Sequence, residues 1–153
     1  MTEAQATHDP RDRLRALLGA VRLGVLATQR DGEPYATLVA FAAGEDLHEL
    51  AFVTPRATRK YANLAAEPRA SLLIDNRTNE DRDLAQAMAA TAIGTVAEPG
   101  GAARDAWLAR YVARHPLLEN FARAPSCALC VLKVDRYVIA DRFQEVTEWR
   151  VEP

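Results

Sequence analysis

Apolar positions recur along this chain with two different periods. Leu14, Leu17, Leu18 and Val21 follow Asp9-Pro10 at helical spacing. An Asp N-cap with proline at the first helical position is a start signal, so residues 10–21 are expected to form an amphipathic helix, with Gly24 beyond its end. The period then shortens to that of strands. Residues 23–28 are short, apolar and β-prone, residues 29–33 turn on Asp31-Gly32, and residues 34–42 return, with Pro34 tolerated at the strand start. A further turn at residues 43–46 leads to a third strand over residues 49–54. No helix separates these strands, so they should pair as an antiparallel meander.

Residues 58–66 read as a helix that Glu67-Pro68 stops, and residues 69–75 as a fourth strand. Residues 76–83 form a polar loop rich in side chains able to hydrogen-bond a ligand. Residues 84–98 are expected to be a fifth strand; the Ala-rich part, residues 85–92, equally suits a helix, but Thr91, Ile93, Thr95 and Val96 favour strand. After the break at Glu98-Pro99-Gly100-Gly101, residues 102–113 carry Trp107, Leu108, Tyr111 and Val112 on one helical stripe that His115-Pro116 ends, and residues 117–123 suit a short second turn. Residues 126–134 and 137–142 are read as two strands joined near Asp135-Arg136, and the alternation of Val146, Glu148, Trp149 and Val151 suits an edge strand within residues 143–153. Residues 1–8 are expected to be a loose tail.

Six or seven strands with three helices and few parallel crossovers predict a mainly β chain folded as a small closed antiparallel barrel. Such a barrel holds little inside, so a ligand would sit at its rim or at a subunit interface. The 153 residues suit one domain spanning the whole chain. A net charge of −2 and a pI near 5.9 argue against a general nucleic-acid binder. The polar N-terminus does not resemble a signal peptide, and no apolar run approaches the ~18 residues of a membrane helix, so a cytoplasmic location is expected.

Cys127 and Cys130 are spaced C-x-x-C, yet they lie in an apolar strand-like run that would put them on opposite faces. With no second cysteine pair, buried structural thiols are the expectation rather than a metal or redox site. His8, His48 and His115 are scattered, which disfavours a metal centre or a hydrolytic triad; His115 suits a helix C-terminus. The usual phosphate-loop, zinc-protease and serine-hydrolase motifs are absent from the sequence.

One stretch carries unusual chemistry. After the strand ending Phe52-Val53-Thr54, Thr58-Arg59-Lys60 opens a helix with two cations in its first turn, where the partial positive charge of the helix end is unfavourable to them. An anion at that end reverses the cost, because free backbone N–H groups, a hydroxyl and two cationic side chains then converge on it; the alternative is a solvated helix start with Thr58 as an ordinary N-cap. Lys60 is also one of only two lysines, beside seventeen arginines.

The order Gly32-Glu33-Pro34-Tyr35, Phe52-Val53-Thr54, Thr58-Arg59-Lys60 and Glu67-Pro68-Arg69-Ala70-Ser71-Leu72-Leu73 resembles the pyridoxamine 5′-phosphate oxidase-like FMN-binding split barrels over residues 20–98. The resemblance implies that Thr58, Arg59 and Lys60 grip the FMN phosphate. It also implies that Thr37, Leu38 and Val39, with Val53 and Thr54, run along the flavin mainly through their backbone. The protein would be a homodimer with FMN at its interface. Asn76, Arg77 and Trp149 are candidates to approach the ring, although Trp149 is better read as a packed edge aromatic.

In the oxidase itself an Arg stands at the position of Thr37, a Lys at that of Ala42 and a Gln in the strand reading Met88-Ala89-Ala90-Thr91. Its C-terminal Arg-x-His segment has no counterpart here. The resemblance therefore implies an FMN-dependent oxidoreductase with another substrate and a reductant such as NAD(P)H. The alternatives are a flavin- or haem-binding module without turnover, or a deazaflavin-dependent reductase using the same cations.

Overall fold

The computed structural model describes residues 9–141 and 145–153. The expected loose tail, His8, Arg142 and Phe143 lie outside the described residues. Asp9 caps helix α1 (Pro10–Ala20), its carboxylate accepting from the Arg11 backbone N–H, and Leu14, Leu17 and Leu18 are buried from it. The meander follows as β1 (Leu23–Arg30), β2 (Glu33–Ala43) and β3 (Glu49–Pro55), with Asp31 and Gly32 both at positive φ in the first turn. Helix α2 (Arg59–Ala66) leads to β4 (Arg69–Asp75).

The expected fifth strand is divided. Residues 83–86 form a short helix, α3 (Asp83–Gln86), and only Ala89–Ala97 is strand, β5. The Asp83 carboxylate accepts from the backbone N–H groups of Thr78 and Asn79, and these bonds hold its carboxyl below the usual range and fix the turn before β5. Helix α4 (Gly101–Arg114), a 3₁₀ turn (Pro116–Leu118) and α5 (Glu119–Arg123) follow.

The two strands expected on either side of Asp135-Arg136 are one: β6 (Cys127–Asp141) runs through without a turn. Ile93 faces Arg136 and Gly94 faces Val134, so Asp135 is the extra residue of a β-bulge. Its exposed carboxylate meets Arg69 at 3.2 Å. Polar residues therefore mark a bulge here, where they looked like a turn. Strand β7 (Glu145–Arg150) adds to the far edge of β6.

All pairings are antiparallel in the order β3-β2-β1-β4-β5-β6-β7, and β6 also pairs with β3, closing six strands into a barrel with β7 outside the ring. Gly94 permits the tight β5–β6 approach, since a Cβ there would collide with the Lys133 carbonyl oxygen. Leu26, Leu72, Ala92 and Tyr137 lie in one register row and fill the barrel interior with Phe41, Phe52, Leu50 and Leu132. A second cluster lies outside the wall, where Ala42, Ala51, Val53, Cys127, Leu129 and Val131 pack under Leu108, Tyr111 and Ala122 of α4 and α5. Both thiols are buried on opposite faces of β6, Cys130 inward and Cys127 outward, and burial pushes the Cys130 thiol up to about 12.

Candidate functional site

The closed ring has a gap. β2 and β3 pair only through Phe41–Ala43 and Leu50–Phe52. Beyond that ladder β2 keeps its pairing to β1 and β3 its pairing to β6, but the two strands part from each other. Thr37, Leu38 and Val39 lie on the open edge of β2, and Val53 and Thr54 on the open edge of β3. The side chains alternate as a strand requires: Val39 is buried in the barrel, Leu38 points outward and is 64% exposed, and Thr37 is half-buried on the inner side opposite Leu26. Val53 turns its side chain into the cluster under α4 and α5, which leaves its backbone as the part that faces the gap.

Helix α2 starts at the end of this gap. Thr58 is its N-cap: the hydroxyl accepts from the Tyr61 N–H at 3.3 Å, donates to the Pro55 carbonyl at 2.8 Å and lies 3.0 Å from the buried Thr54 hydroxyl. These bonds fasten the helix start to β3. On the other side, Asn63 Nδ2 donates to Thr28 Oγ1 at 3.1 Å in a buried contact with β1. The first two N–H groups, of Arg59 and Lys60, are left pointing off the helix end, as in any helix start.

The surrounding charges are unevenly matched. Arg56 is paired with Glu98 at 2.5 Å and donates to the Tyr61 hydroxyl at 2.8 Å, and that hydroxyl donates to Glu98 at 2.9 Å. The Arg56 guanidinium holds the Glu98 carboxyl below its usual range, and the bond to Glu98 raises the Tyr61 phenol. Arg59 and Lys60, three and four residues further on, have no carboxylate partner among the described residues. Instead the Arg59 guanidinium carbon lies 5.1 Å from the centre of the Tyr35 ring. Beside it is a cleft of about 480 Å³ lined by Arg30, Asp31, Glu33, Tyr35, Arg59, Ala62 and Asn63.

The remaining candidates separate. Arg77 lies at the mouth of a shallow depression on the outer sheet face, about 370 Å³, that also takes in Leu38, Val25 and Leu73. Its guanidinium is 3.0 Å from Asp75. Asn76 braces the loop, its Oδ1 accepting from the Met88 N–H at 2.8 Å. Trp149 stacks on Tyr137 at 5.5 Å and 5°, half-buried against the core on the inner side of the sheet. His115 caps α4 and its Nε2 is 2.6 Å from the Phe41 carbonyl oxygen.

Sequence reasoning missed Arg56, Tyr61, Glu98 and Tyr35. Glu98 and Arg56 stand 42 positions apart, and no local pattern announces a contact of that span. Among the described residues no cluster of three metal-ligating side chains occurs, and no helix is long and apolar enough to cross a membrane.

The fold matches known proteins. In the solved structures, a haem-binding protein from Mycobacterium smegmatis superposes with a TM-score of 0.81 at 22% identity, covering 89% of this chain, which spans only 55% of that protein. The haem storage protein HutZ from Vibrio cholerae gives 0.71 at 13% identity over 91% of this chain and 92% of its own. An FAD-binding protein from Mesorhizobium loti gives 0.70 at 17% identity over 86% and 92%. At such identities the likeness is one of fold. A search of curated proteins returned no match. The family model described as pyridoxamine 5′-phosphate oxidase matches residues 10–150, nearly the full chain, and the chain therefore belongs to the pyridoxamine 5′-phosphate oxidase-like split-barrel family.

Proposed function

We propose that the protein is an FMN-binding flavoprotein that works as a homodimer, an oxidoreductase whose substrate differs from that of pyridoxamine 5′-phosphate oxidase. One observation carries the reading: Arg59 and Lys60 stand without carboxylate partners at the start of α2, beside the gap between β2 and β3, while the neighbouring Arg56 is neutralised by Glu98. A flavin phosphate supplies the missing negative charge. Arg59 offers it a two-pronged guanidinium, Lys60 a point charge and the helix start two N–H groups. The open strand edges at Thr37–Val39 and Val53–Thr54 provide backbone groups for the ring system.

When bound, the flavin accepts and returns hydride or electrons. The chain's own residues hold it, orient it and keep water from one side. The outer sheet face supports the dimer reading: Leu38, Val25, Leu73, Thr91 and Val138 form one register row beside Arg77 that no described element covers. On the next row the buried Nε of Arg136 has no acceptor among the described residues, which a partner surface can supply.

The test is FMN titration of wild type against an Arg59→Ala, Lys60→Ala double variant. Each charge-assisted bond contributes roughly 1.5–3 kcal/mol, so the double variant should bind FMN at least tenfold more weakly. Unchanged affinity would remove the phosphate-grip reading. The haem-binding relatives favour a second reading, haem bound without turnover. A Soret band in the purified protein would support it, flavin bands and NAD(P)H oxidation the first, and a colourless chain that binds only added deazaflavin a third.

A further inference from the structure

Helix α2 makes one contact that capping and packing do not explain. Thr28 and Tyr35 face each other across the β1–β2 hairpin. Asn63 and Arg59, one turn apart on the same side of α2, reach one each: Asn63 bonds Thr28, and Arg59 lies over the Tyr35 ring. The Asn63–Thr28 bond ties the helix to the hairpin on the side where the guanidinium lies over the ring face. Asp31 and Glu33 line the same cleft, yet neither forms an ion pair with Arg59 among the described residues. Among the described residues the Arg59 guanidinium has no ion pair or hydrogen bond, and it rests against the aromatic ring.

We propose that Tyr35 is a positioning residue for the phosphate grip. Its ring is a shelf that keeps the Arg59 guanidinium extended beside the helix start before any ligand arrives. An unsupported arginine loses rotamer freedom when it closes on a phosphate, whereas one already stacked loses less. The inference rests on the reading of Arg59 as a phosphate ligand, and it makes the effect of Tyr35 specific to the phosphate.

FMN and riboflavin, which lacks the phosphate, separate the possibilities when titrated into wild type, Tyr35→Leu, Tyr35→Phe, Arg59→Ala and the Tyr35→Leu, Arg59→Ala double variant. Tyr35→Leu should weaken FMN about two- to fivefold, as loss of an exposed cation–π contact implies, and leave riboflavin unchanged. Tyr35→Phe should restore wild-type affinity, since the ring face and not the hydroxyl acts. In the Arg59→Ala background, Tyr35→Leu should cost nothing further. Equal weakening of FMN and riboflavin, failure of Phe to rescue, or additive losses in the double variant would each overturn the shelf while leaving the grip intact. Equal affinity of wild type for FMN and riboflavin would overturn the grip, and the shelf with it.

Discussion

Two stretches of the barrel's outer wall solve the same problem differently. Around β3 and the first half of β6, outward side chains such as Val53, Leu129 and Val131 are buried because α4 and α5 lie across them. Around β1, β2 and β4, the outward row of Leu38, Val25 and Leu73 is just as apolar, but no element among the described residues covers it, and Leu23 and Leu38 are 53% and 64% exposed. The sequences of the strands differ accordingly. Cys127 to Leu132 is a continuous buried run, the signature of a strand covered on both faces, whereas β1 and β4 alternate between full and partial burial. An apolar face covered by the chain's own helices belongs to folding; the one left bare beside the candidate site is where the proposed dimer would form.

Substitutions on the two faces should therefore fail in different ways. The largest expected effect is on the covered face: Leu129→Ala, at a site 1% exposed, should lower unfolding free energy by about 2–4 kcal/mol in denaturant titration. A loss below 1 kcal/mol would mean that the helices do not pack the wall tightly. Leu38→Asp on the bare face should leave the folded chain's circular dichroism intact, yet shift a dimer to a monomer in sedimentation and weaken FMN with it. A variant that stays dimeric would place the subunit contact elsewhere.

The smallest effect lies at the seam between the faces, where Glu98 at the end of β5 ties Arg56 and Tyr61. Arg56 depresses the Glu98 carboxyl, so folding favours its ionised form. That contribution is complete above the ordinary carboxylate range and is lost as pH falls through the lowered value. Glu98→Gln should make stability less dependent on pH within that acid window, by a modest amount because the pair is partly exposed. An unaltered acid limb would show that the bond adds nothing.

Much of this arrangement was legible in the order of residues. The meander, α1, α2 and its Thr58 cap each rest on local signals: a period, a turn dipeptide, a capping side chain. The candidate site was legible only where it is local, at Thr58-Arg59-Lys60. Tyr35 reaches Arg59 from the hairpin and Glu98 reaches the flanking Arg56 and Tyr61 from the end of β5, and the register that brings them there is a property of the closed sheet. Asp135-Arg136 misled because a bulge and a turn use the same polar residues, and only the partner strand distinguishes them. Residues 84–88 misled because alanine fits helix and strand alike.

The length of β6 has a consequence for how the chain comes together. Its first half seals the ring against β3, Phe52 facing Cys130, while its second half carries β5 on one edge and β7 on the other. Five strands leave the ribosome before it, with the barrel open and one edge of β3 unsatisfied. A seam joining such distant segments closes late and slowly. Until then the unpaired edge is free to find the wrong strand, so conditions that slow the closure should lower yield through mispairing.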